Sequence, residues 1–193
     1  MSRDKDRGSP SGRLRIVAGK WRRRVLPIAD EPGIRPTGDR IRETLFNWLG
    51  ASVEGSRCLD LFAGTGALGL EALSRGAREV VFVERSARVV AVLEDSLAKL
   101  QATGAEVLKI DAMIFLQCEP SPFDIVFLDP PFAADLGGDL CRLLDEYGWL
   151  ASGAQVYLEQ RRDEPVPKLP EGWEILREKT AGHVRYALLR APK

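Results

Sequence analysis

The sequence is poor in the residue types that build several common kinds of active site. Its 193 residues include a single histidine, His183, and three scattered cysteines, Cys58, Cys118 and Cys141. One histidine argues against a Ser-His-Asp hydrolase and against a multi-histidine metal centre. Three separated cysteines fit neither a disulfide framework nor a zinc site. We therefore expect no bound metal, and we expect His183 to be a turn residue rather than a catalytic group.

Long apolar runs are lacking too. No uninterrupted run approaches the roughly 18 residues that a membrane span needs. The charged segment at residues 1–8 is not followed by the apolar region of a secretory signal. Hydrophobic residues nevertheless make up 45% of the chain, which is enough for the core of one domain of ordinary size. These features predict a cytoplasmic protein with no membrane partner.

An excess of charge of either sign is absent, since 28 basic residues balance 28 acidic ones. Taken alone, this balance argues against a nucleic-acid partner. The charges are unevenly distributed, however. Residues 1–42 contain 12 basic and 5 acidic residues, whereas residues 43–193 contain 16 basic and 23 acidic ones. Such an asymmetry indicates a basic arm that binds a polyanion. The alternative is a solvated tail that is partly disordered.

The first part of the chain divides into a tail, a hairpin and a linker. Residues 1–12 are polar and rich in glycine, serine and proline, which predicts disorder. A Gly19-Lys20 turn stands between two short alternating segments, the second from Trp21 to Leu26, and predicts a β-hairpin with a basic face. Three prolines and two glycines in residues 27–38 predict an ordered loop or linker. The predicted units of the whole chain are residues 1–12, 13–38 and 39–193.

The rest of the chain alternates between helices and strands. A helix is predicted with Ile41 and Leu45 on its apolar face and with Arg42 turned away from that face. From Arg57 onward, strands and helices alternate at a spacing of about 20–25 residues, which predicts parallel βαβ units. The last two strands are joined by a short turn and predict an antiparallel hairpin. The predicted strands are residues 58–62, 79–83, 106–110, 123–128, 155–159, 173–179 and 184–189.

A glycine loop follows the first strand of this series. Gly64 and Gly66 allow a tight turn and a close approach of the backbone to a ligand. With Gly69 they also match the spacing of a dinucleotide-binding loop, so the glycines alone are ambiguous. Asp60 places a carboxylate at the end of the strand, where it would repel a pyrophosphate and hold a cationic ligand. S-adenosylmethionine, which carries a sulfonium and an ammonium group, is such a ligand.

The second and third strands also end in acidic residues, Glu84 and Asp111. Glu84 lies 24 residues after Asp60 and is placed to accept hydrogen bonds from both ribose hydroxyls. Asp111 is placed to meet the adenine. Ligands of open α/β sheets bind at the carboxyl ends of the strands, where these three acids would gather. Each acid taken singly can equally be a helix cap or a solvated residue, but all three together with the glycine loop favour the cofactor.

The fourth predicted strand ends in Asp129-Pro130-Pro131-Phe132. A stiff turn is the simpler explanation of two prolines. At this position, however, the Asp129 carboxylate and the Pro130 carbonyl can accept the two N–H groups of an exocyclic amine on a base and orient its lone pair. The prolines hold that carbonyl in place, and Phe132 can stack on an extruded base. The predicted catalytic residues are therefore Asp129, Pro130 and Phe132.

Three segments of the sequence resemble the RsmD family, which are bacterial methyltransferases of guanine N2 in small-subunit ribosomal RNA. These segments are residues 35–49 (RPTGDRIRETLFNWL), 59–75 (LDLFAGTGALGLEALSR) and 129–132 (DPPF). The first is the most specific to that family. The glycine loop is shared by most class I methyltransferases, and the last motif is shared by enzymes that methylate amino nitrogens. The resemblance extends over roughly residues 13–190.

This resemblance implies a fold and a cofactor. The fold is the Rossmann-like α/β fold of class I methyltransferases, with a seven-stranded, mostly parallel sheet that contains one antiparallel strand, plus the N-terminal β-hairpin. The cofactor is S-adenosylmethionine, with residues 37–43 closing over it and either Arg40 or Arg42 near its carboxylate. The predicted cofactor-binding residues are Thr37, Arg40, Asp60, Phe62, Gly64, Gly66, Glu84, Asp111 and Ala112.

The resemblance also implies a partner, 16S rRNA within the assembled or assembling small subunit. RNA is bound first through its phosphates, and the predicted hairpin carries a cluster of cations. Trp21 can stack on a splayed base or pack against the main domain, and both alternatives stay open. The cluster itself can also be a solvated face. We expect a monomer. The predicted RNA-binding residues are Arg13, Arg15, Lys20, Trp21, Arg22, Arg23 and Arg24.

Two other functions remain open at this point. A class I methyltransferase can act on another amine, such as N6 of adenine in DNA or RNA, although no separate target-recognition domain is recognisable in the chain. A non-catalytic RNA-binding assembly factor can keep the same fold, although the intact Asp129 motif and the intact glycine loop argue against it. The identity of the modified nucleoside distinguishes these functions.

Overall fold

The structure, a computed structural model, describes residues 12–34, 36–130 and 136–192. The predicted disordered tail falls outside these ranges apart from Gly12, and Phe132 of the catalytic motif falls outside them as well. None of the helices in the described ranges is long and apolar enough to cross a membrane. The described chain forms a small hairpin packed on an α/β unit with helices on both faces of its sheet.

The hairpin consists of β1 (Gly12–Arg15) and β2 (Val25–Ile28), which pair antiparallel with Leu14 opposite Leu26. The prediction of a hairpin is confirmed, but its second strand runs from Val25 to Ile28 rather than from Trp21 to Leu26, so it begins later and extends into the predicted linker. The chain between the strands turns repeatedly, because Arg23 has a left-handed φ of 68° and the Trp21 ring is buried in the core. The left-handed φ of Arg23 is incompatible with an extended strand at that point.

Seven strands form the main sheet: β3 (Arg57–Asp60), β4 (Glu79–Glu84), β5 (Ala105–Lys109), β6 (Phe123–Leu128), β7 (Leu150–Arg161), β8 (Glu174–Ala181) and β9 (Val184–Arg190). Their order is β5-β4-β3-β6-β7-β9-β8, and β9 runs antiparallel to both of its neighbours. The predicted mostly parallel, seven-stranded sheet is therefore confirmed. The chain moves outward from β3 to β5 and then returns to β6, so the topological switch point lies between β3 and β6, where ligands bind in such sheets.

The helices cover the two faces of the sheet. They are α1 (Asp39–Leu49, followed by a 3₁₀ turn at Gly50–Val53), α2 (Ala67–Ser74), α3 (Ala87–Leu100), α4 (Ala112–Phe115) and α5 (Gly137–Glu146). The side chain of Ser86 accepts a hydrogen bond from the Val89 N–H at 3.4 Å and caps α3, as its position before the apolar pattern predicted. Alternate residues of each strand point to opposite faces, and each face has its own apolar cluster.

The two clusters determine which side chains remain available at the carboxyl edge of the sheet. One cluster, between the sheet and helices α1 to α3, includes Phe82, Phe127 and Tyr157. The other, beneath α4 and α5, includes Leu128 and Leu158. Full burial of such side chains contributes about 1.5–3 kcal/mol each. The buried apolar side chains of each parallel strand stop near its carboxyl end. The acidic residues described in the next subsection lie at those ends.

Candidate active site

Four acidic side chains lie at the carboxyl edge of the sheet, on four neighbouring strands. Glu84 ends β4, Asp60 ends β3, Asp129 directly follows β6, and Glu159 lies near the end of β7. Leu128 pairs with Leu158 in the parallel register, so Asp129 and Glu159 are also neighbours across the sheet. The structure thus brings three predicted site residues to one edge and adds a fourth acid that the sequence reasoning missed.

The glycine loop is tied to Glu84. The Gly64 N–H donates to Glu84 Oε2 at 3.0 Å, and the Ser86 N–H donates to Glu84 Oε1 at 2.8 Å. Gly66 has a φ of 72°, and a Cβ atom there would lie 2.5 Å from Leu93 Cδ1. A side chain is therefore excluded at Gly66, and the loop holds the Glu84 carboxylate at the sheet edge, where it retains acceptor capacity for hydroxyl groups.

Asp60, the last residue of β3, is buried beside the first turn of α2. Its Oδ2 accepts a hydrogen bond from the Gly69 N–H at 3.0 Å, and its side chain is 3% exposed. Burial raises the pKa of Asp60 to about 7, and the negative charge of Glu84 adds to the rise, whereas the bond from Gly69 opposes it. A buried carboxyl beside another acid gains most from a cationic ligand, which relieves both effects.

Gly69, the third glycine of the ambiguous loop, has a packing role. A Cβ atom at this position would lie 2.3 Å from the ring of Phe82. The absence of a side chain allows α2 to lie close against β4 and brings the Gly69 N–H to Asp60. The glycine spacing therefore reflects close contact between helix and strand, which is one of the roles of glycine in nucleotide-binding loops.

Asp111 caps the short helix α4. Its Oδ1 accepts a hydrogen bond from the Met113 N–H at 2.9 Å, and Asp111 is half-buried. The capping alternative considered for this acid is thus what the structure contains, and contact with an adenine remains a prediction. Of the other predicted cofactor contacts, Ala112 is buried behind Asp111 and Phe62 is half-buried between the strand and the glycine loop.

Asp129 and Pro130 occupy the predicted place at the end of β6. Asp129 is half-buried, Pro130 is buried, and the Thr37 hydroxyl donates to Asp129 Oδ2 at 3.3 Å. Burial raises the pKa of Asp129 well above its usual range, and the charges of Glu159 and Asp60 add to this, against the hydrogen bond from Thr37. Thr37 therefore contacts the predicted catalytic carboxylate in this structure.

Glu159 is the site residue that the sequence reasoning did not single out. It is 5% exposed, and its Oε2 accepts a hydrogen bond from the hydroxyl of Tyr157 at 2.7 Å. Burial raises the pKa of Glu159, and the bond from Tyr157 opposes the rise. A signal was present, because the predicted strand 155–159 ends in this acid just as three other strands end in theirs.

Arg42 was predicted, with Arg40, as a candidate for the cofactor carboxylate, and the structure excludes it. The side chain of Arg42 is fully buried rather than turned away from the helix face. Its Nη1 donates to Glu71 Oε2 at 3.1 Å, its Nη2 donates to the Arg15 carbonyl at 2.7 Å, and its Nε donates to the Thr37 carbonyl at 3.0 Å. Arg40 is exposed and is the one of the two that remains available.

The hairpin is seated on the last two turns of α2. Glu71 accepts hydrogen bonds from the backbone N–H groups of Val17 and Ala18, each at 2.9 Å. Ser74 Oγ accepts from the Trp21 N–H at 3.0 Å and donates to the Ala18 carbonyl at 2.6 Å. Glu71, which binds Arg42 as well, therefore joins the hairpin, α1 and α2 in one buried polar network.

The predicted RNA-binding side chains divide into two kinds. The cations of the hairpin are exposed, and one of them, Arg15, forms an ion pair with Asp39. Trp21 is 6% exposed and belongs to the core. Of the two alternatives left open for Trp21, the structure contains packing against the main domain rather than an exposed ring for stacking. The exposed hairpin cations are Arg13, Arg15, Lys20, Arg22, Arg23 and Arg24.

Sequence comparison finds relatives over nearly the whole chain. The profile of a family described as "Conserved hypothetical protein 95" matches residues 14–190. The Escherichia coli (strain K12) protein named Ribosomal RNA small subunit methyltransferase D is 48% identical over 180 residues. The match covers 93% of this chain and 91% of that protein.

Structural comparison agrees with the sequence comparison. The solved structure of the yhhF protein from Escherichia coli has a TM-score of 0.88 and 44% identity, and the match covers 94% of this chain and 99% of that chain. A more distant structure, complexed with S-adenosylhomocysteine, has a TM-score of 0.66 and 15% identity, and it supports the fold alone. That match covers 79% of this chain and 48% of the other. The fold is that of the class I methyltransferases.

Proposed function

Because this chain belongs to the family described as conserved hypothetical protein 95 and is 48% identical to a protein named Ribosomal RNA small subunit methyltransferase D, we propose that it transfers a methyl group from S-adenosylmethionine to the exocyclic N2 amine of a guanine in 16S rRNA. The substrate is the rRNA within the assembled or assembling small subunit, and the protein acts in the cytoplasm as a monomer. The observation that carries the proposal is the position of Asp129 and Pro130, which lie at the carboxyl edge of the sheet beside the buried Asp60.

The acidic edge of the sheet fits the cofactor. S-adenosylmethionine supplies an electrophilic methyl group on a positively charged sulfur. Asp60 and Glu84 provide negative charge on the two strands next to the glycine loop, and Gly66 lets that loop pack closely against Leu93 and Leu70. The proposed cofactor-binding residues remain Thr37, Arg40, Asp60, Phe62, Gly64, Gly66, Glu84, Asp111 and Ala112.

Asp129 and Pro130 orient the amine. The lone pair of an exocyclic amine is delocalised into the base, so the amine is a poor nucleophile. If the Asp129 carboxylate accepts one N–H and the Pro130 carbonyl accepts the other, the nitrogen becomes more pyramidal and its lone pair is directed. Orientation of this kind can supply several kcal/mol of rate acceleration. The new N–C bond would form as the S–C bond of the cofactor breaks, leaving S-adenosylhomocysteine, and the methylated nitrogen would then release its proton to water, so no histidine base is required. Phe132 is proposed to stack on the base.

The hairpin binds the RNA backbone in this proposal. Its six cations are exposed and lie on a unit that the buried network attaches to α2. Phosphate contacts of this kind position a protein without reading sequence. Residues 13–38 therefore act as the RNA-binding unit, and residues 39–193 as the catalytic unit. The excess of positive charge in residues 1–42 and the excess of negative charge in residues 43–193 serve these opposite requirements and sum to zero.

A labelling experiment tests the proposal. The protein is incubated with radiolabelled S-adenosylmethionine and, separately, with small subunits that lack the modification, with naked rRNA and with duplex DNA, and the labelled nucleoside is identified. We expect N2-methylguanosine, and more of it from the subunits than from naked rRNA. Label in adenine would favour the N6-adenine alternative. No label in any nucleic acid, together with tight RNA binding, would favour a non-catalytic assembly factor.

A further inference from the structure

Two neighbouring acidic side chains, the half-buried Asp129 and the buried Glu159, face the position that we propose for the base. The two residues follow register-paired Leu128 and Leu158 on neighbouring parallel strands. Residues paired in this way project from the same face of the sheet, and neighbouring strands lie about 4.8 Å apart. Both carboxylates can therefore reach adjacent donor groups on the edge of a single planar ligand.

Each of the two carboxylates has one oxygen held by a hydroxyl group. The Thr37 hydroxyl donates to Asp129 Oδ2, and the Tyr157 hydroxyl donates to Glu159 Oε2. Neither Asp129 Oδ1 nor Glu159 Oε1 has a hydrogen-bond donor within residues 12–34, 36–130 and 136–192. The site thus offers two acceptor oxygens side by side, each on a carboxyl group that is anchored through its other oxygen and each available to a ligand.

The Watson–Crick edge of guanine carries the matching donors. Guanine presents N1–H and the N2 amine as neighbouring donor groups, whereas adenine presents an N1 lone pair beside its N6 amine. We propose that Glu159 accepts the N1–H of the target guanine while Asp129 binds the N2 amine, so that Glu159 is the residue that selects guanine. This inference rests on the proposed function, because it assigns the specificity of the same site.

The negative charge of Glu159 explains why the site would accept guanine and why it would reject adenine. A carboxylate that accepts N1–H forms a charge-assisted hydrogen bond, and the donor edge relieves the repulsion between the two facing acids. The N1 lone pair of adenine, or the corresponding lone pair of any base that lacks N1–H, would instead face that negative charge. Rejection by an unpaired or repelled polar group is an effective source of selectivity.

The test uses 2-aminopurine, which has the exocyclic 2-amine of guanine but a lone pair at N1. Small subunits are reconstituted with rRNA that carries either guanine or 2-aminopurine at the methylated position. Wild-type protein should prefer guanine by about 10- to 100-fold in kcat/KM, the range expected for one charge-assisted hydrogen bond. Glu159→Gln should bring this preference close to unity, because the amide can donate to the N1 lone pair. Glu159→Asp should retain a preference for guanine.

Controls separate specificity from folding and from the proposed function. Glu178→Gln, which changes an exposed acid on the edge strand β8, should leave the preference unchanged. Unfolding temperature and S-adenosylhomocysteine affinity are measured for every variant, and Glu159→Asp provides the result if Glu159→Gln does not fold. A Glu159→Gln protein that keeps the wild-type preference, or a Glu159→Asp protein that loses it, overturns the inference alone. A wild-type protein that leaves guanine N2 unmethylated overturns this inference together with the proposed function.

Discussion

Asp129 is the residue whose replacement tests the catalytic proposal most directly. We expect Asp129→Ala to lower the single-turnover rate by about 100-fold or more, because the amine loses the acceptor that orients it. Asp129→Asn keeps one oxygen acceptor and should lose less. Cofactor affinity, measured by calorimetry, should change little in both variants. Turnover at the wild-type rate in Asp129→Ala would contradict the mechanism.

The raised pKa of Asp60 predicts how the free energy of unfolding depends on pH. Its pKa of about 7 in the folded protein exceeds the ordinary value of 3.8, so between these pH values the folded state retains a proton that the unfolded chain releases. The free energy of unfolding should therefore decrease as the pH rises from about 4 to 7, with each pKa unit worth about 1.4 kcal/mol. Asp60→Asn should make this decrease smaller.

Urea denaturation at pH 5 and at pH 8 provides the measurement for Asp60. In Asp60→Asn the free energy of unfolding should still fall between pH 5 and pH 8, but by less than in the wild type. Some of the fall remains because burial raises the pKa values of Asp129 and Glu159 as well. Asp163→Asn is a suitable control, since Asp163 is exposed and the Arg161 guanidinium lowers the pKa of its carboxyl. Equal pH dependence in wild-type protein and Asp60→Asn would show that Asp60 is ionised in the folded state.

The attachment of the hairpin to α1 and α2 depends on the pair formed by Arg42 and Glu71. Both side chains are fully buried, and Arg42→Met removes one of the two cations that contact Glu71. Removal of one partner of a buried pair costs about 3–5 kcal/mol, and we expect a loss toward the lower end of this range because Arg75 Nε still contacts Glu71 Oε1 at 2.9 Å. Arg40→Met, two positions earlier on the exposed side of the same helix, should change stability by less than about 0.5 kcal/mol.

Urea denaturation and hydrogen exchange together test whether Arg42 and Glu71 attach the hairpin to α1 and α2. Arg42→Met should unfold at lower urea concentration, and the amides of Val17 and Ala18 should exchange faster, because Glu71 accepts both of them. A loss of stability equal to that of Arg40→Met would mean that the buried network does not hold the hairpin.

The cations in the turn of the hairpin make a separate prediction about RNA. Simultaneous replacement of Arg22, Arg23 and Arg24 with alanine should weaken binding of small subunits and flatten its dependence on salt. Each lost phosphate contact removes about 0.7–0.9 from the slope of log K against log salt. Cofactor affinity should be unchanged. An unaltered slope would mean that the turn has a structural role only.

A matched control for the hairpin uses cations elsewhere on the surface. Arg78, Lys99 and Arg142 are exposed on other elements of the catalytic unit. Their joint replacement with alanine removes the same net charge and should leave the salt dependence close to that of the wild type. The comparison separates local phosphate contacts from the effect of overall charge.

Element by element, the sequence predicted the sheet well and the hairpin less well. Strands β3, β4 and β6 are short and largely apolar, so the sequence pattern placed them closely, whereas β7 (Leu150–Arg161) extends beyond the predicted 155–159 at both ends. The segment after Lys20 also alternates, but the left-handed backbone at Arg23 and the burial of Trp21 depend on contacts with α2, which no local pattern contains. Arg42 was misplaced for the same reason, because its acidic partner Glu71 lies 29 residues away.

At the scale of the whole molecule, predictability follows the topology. Once parallel strands are recognised, their carboxyl ends must meet at one edge, and this placed Asp60, Glu84 and Asp129 together without coordinates. The rule applied equally to Glu159, whose strand was predicted to end at that residue. What the sequence could not supply was the neighbour relation between β6 and β7, which puts Glu159 beside Asp129.

The acidic edge as a whole predicts how cofactor and product should compete. S-adenosylmethionine and S-adenosylhomocysteine differ by the methyl group and by the positive charge on sulfur, so the ratio of their dissociation constants isolates the interaction with that charge. Because the pKa of Asp60 is about 7, the edge gains negative charge between pH 6 and pH 8. S-adenosylmethionine should therefore gain affinity relative to S-adenosylhomocysteine over this range, as measured by calorimetry.

Asp60→Asn should weaken this dependence of the affinity ratio on pH. A ratio that is constant with pH in the wild-type protein would mean that Asp60 does not interact with the sulfonium, and its role would then be limited to the hydrogen bond with Gly69.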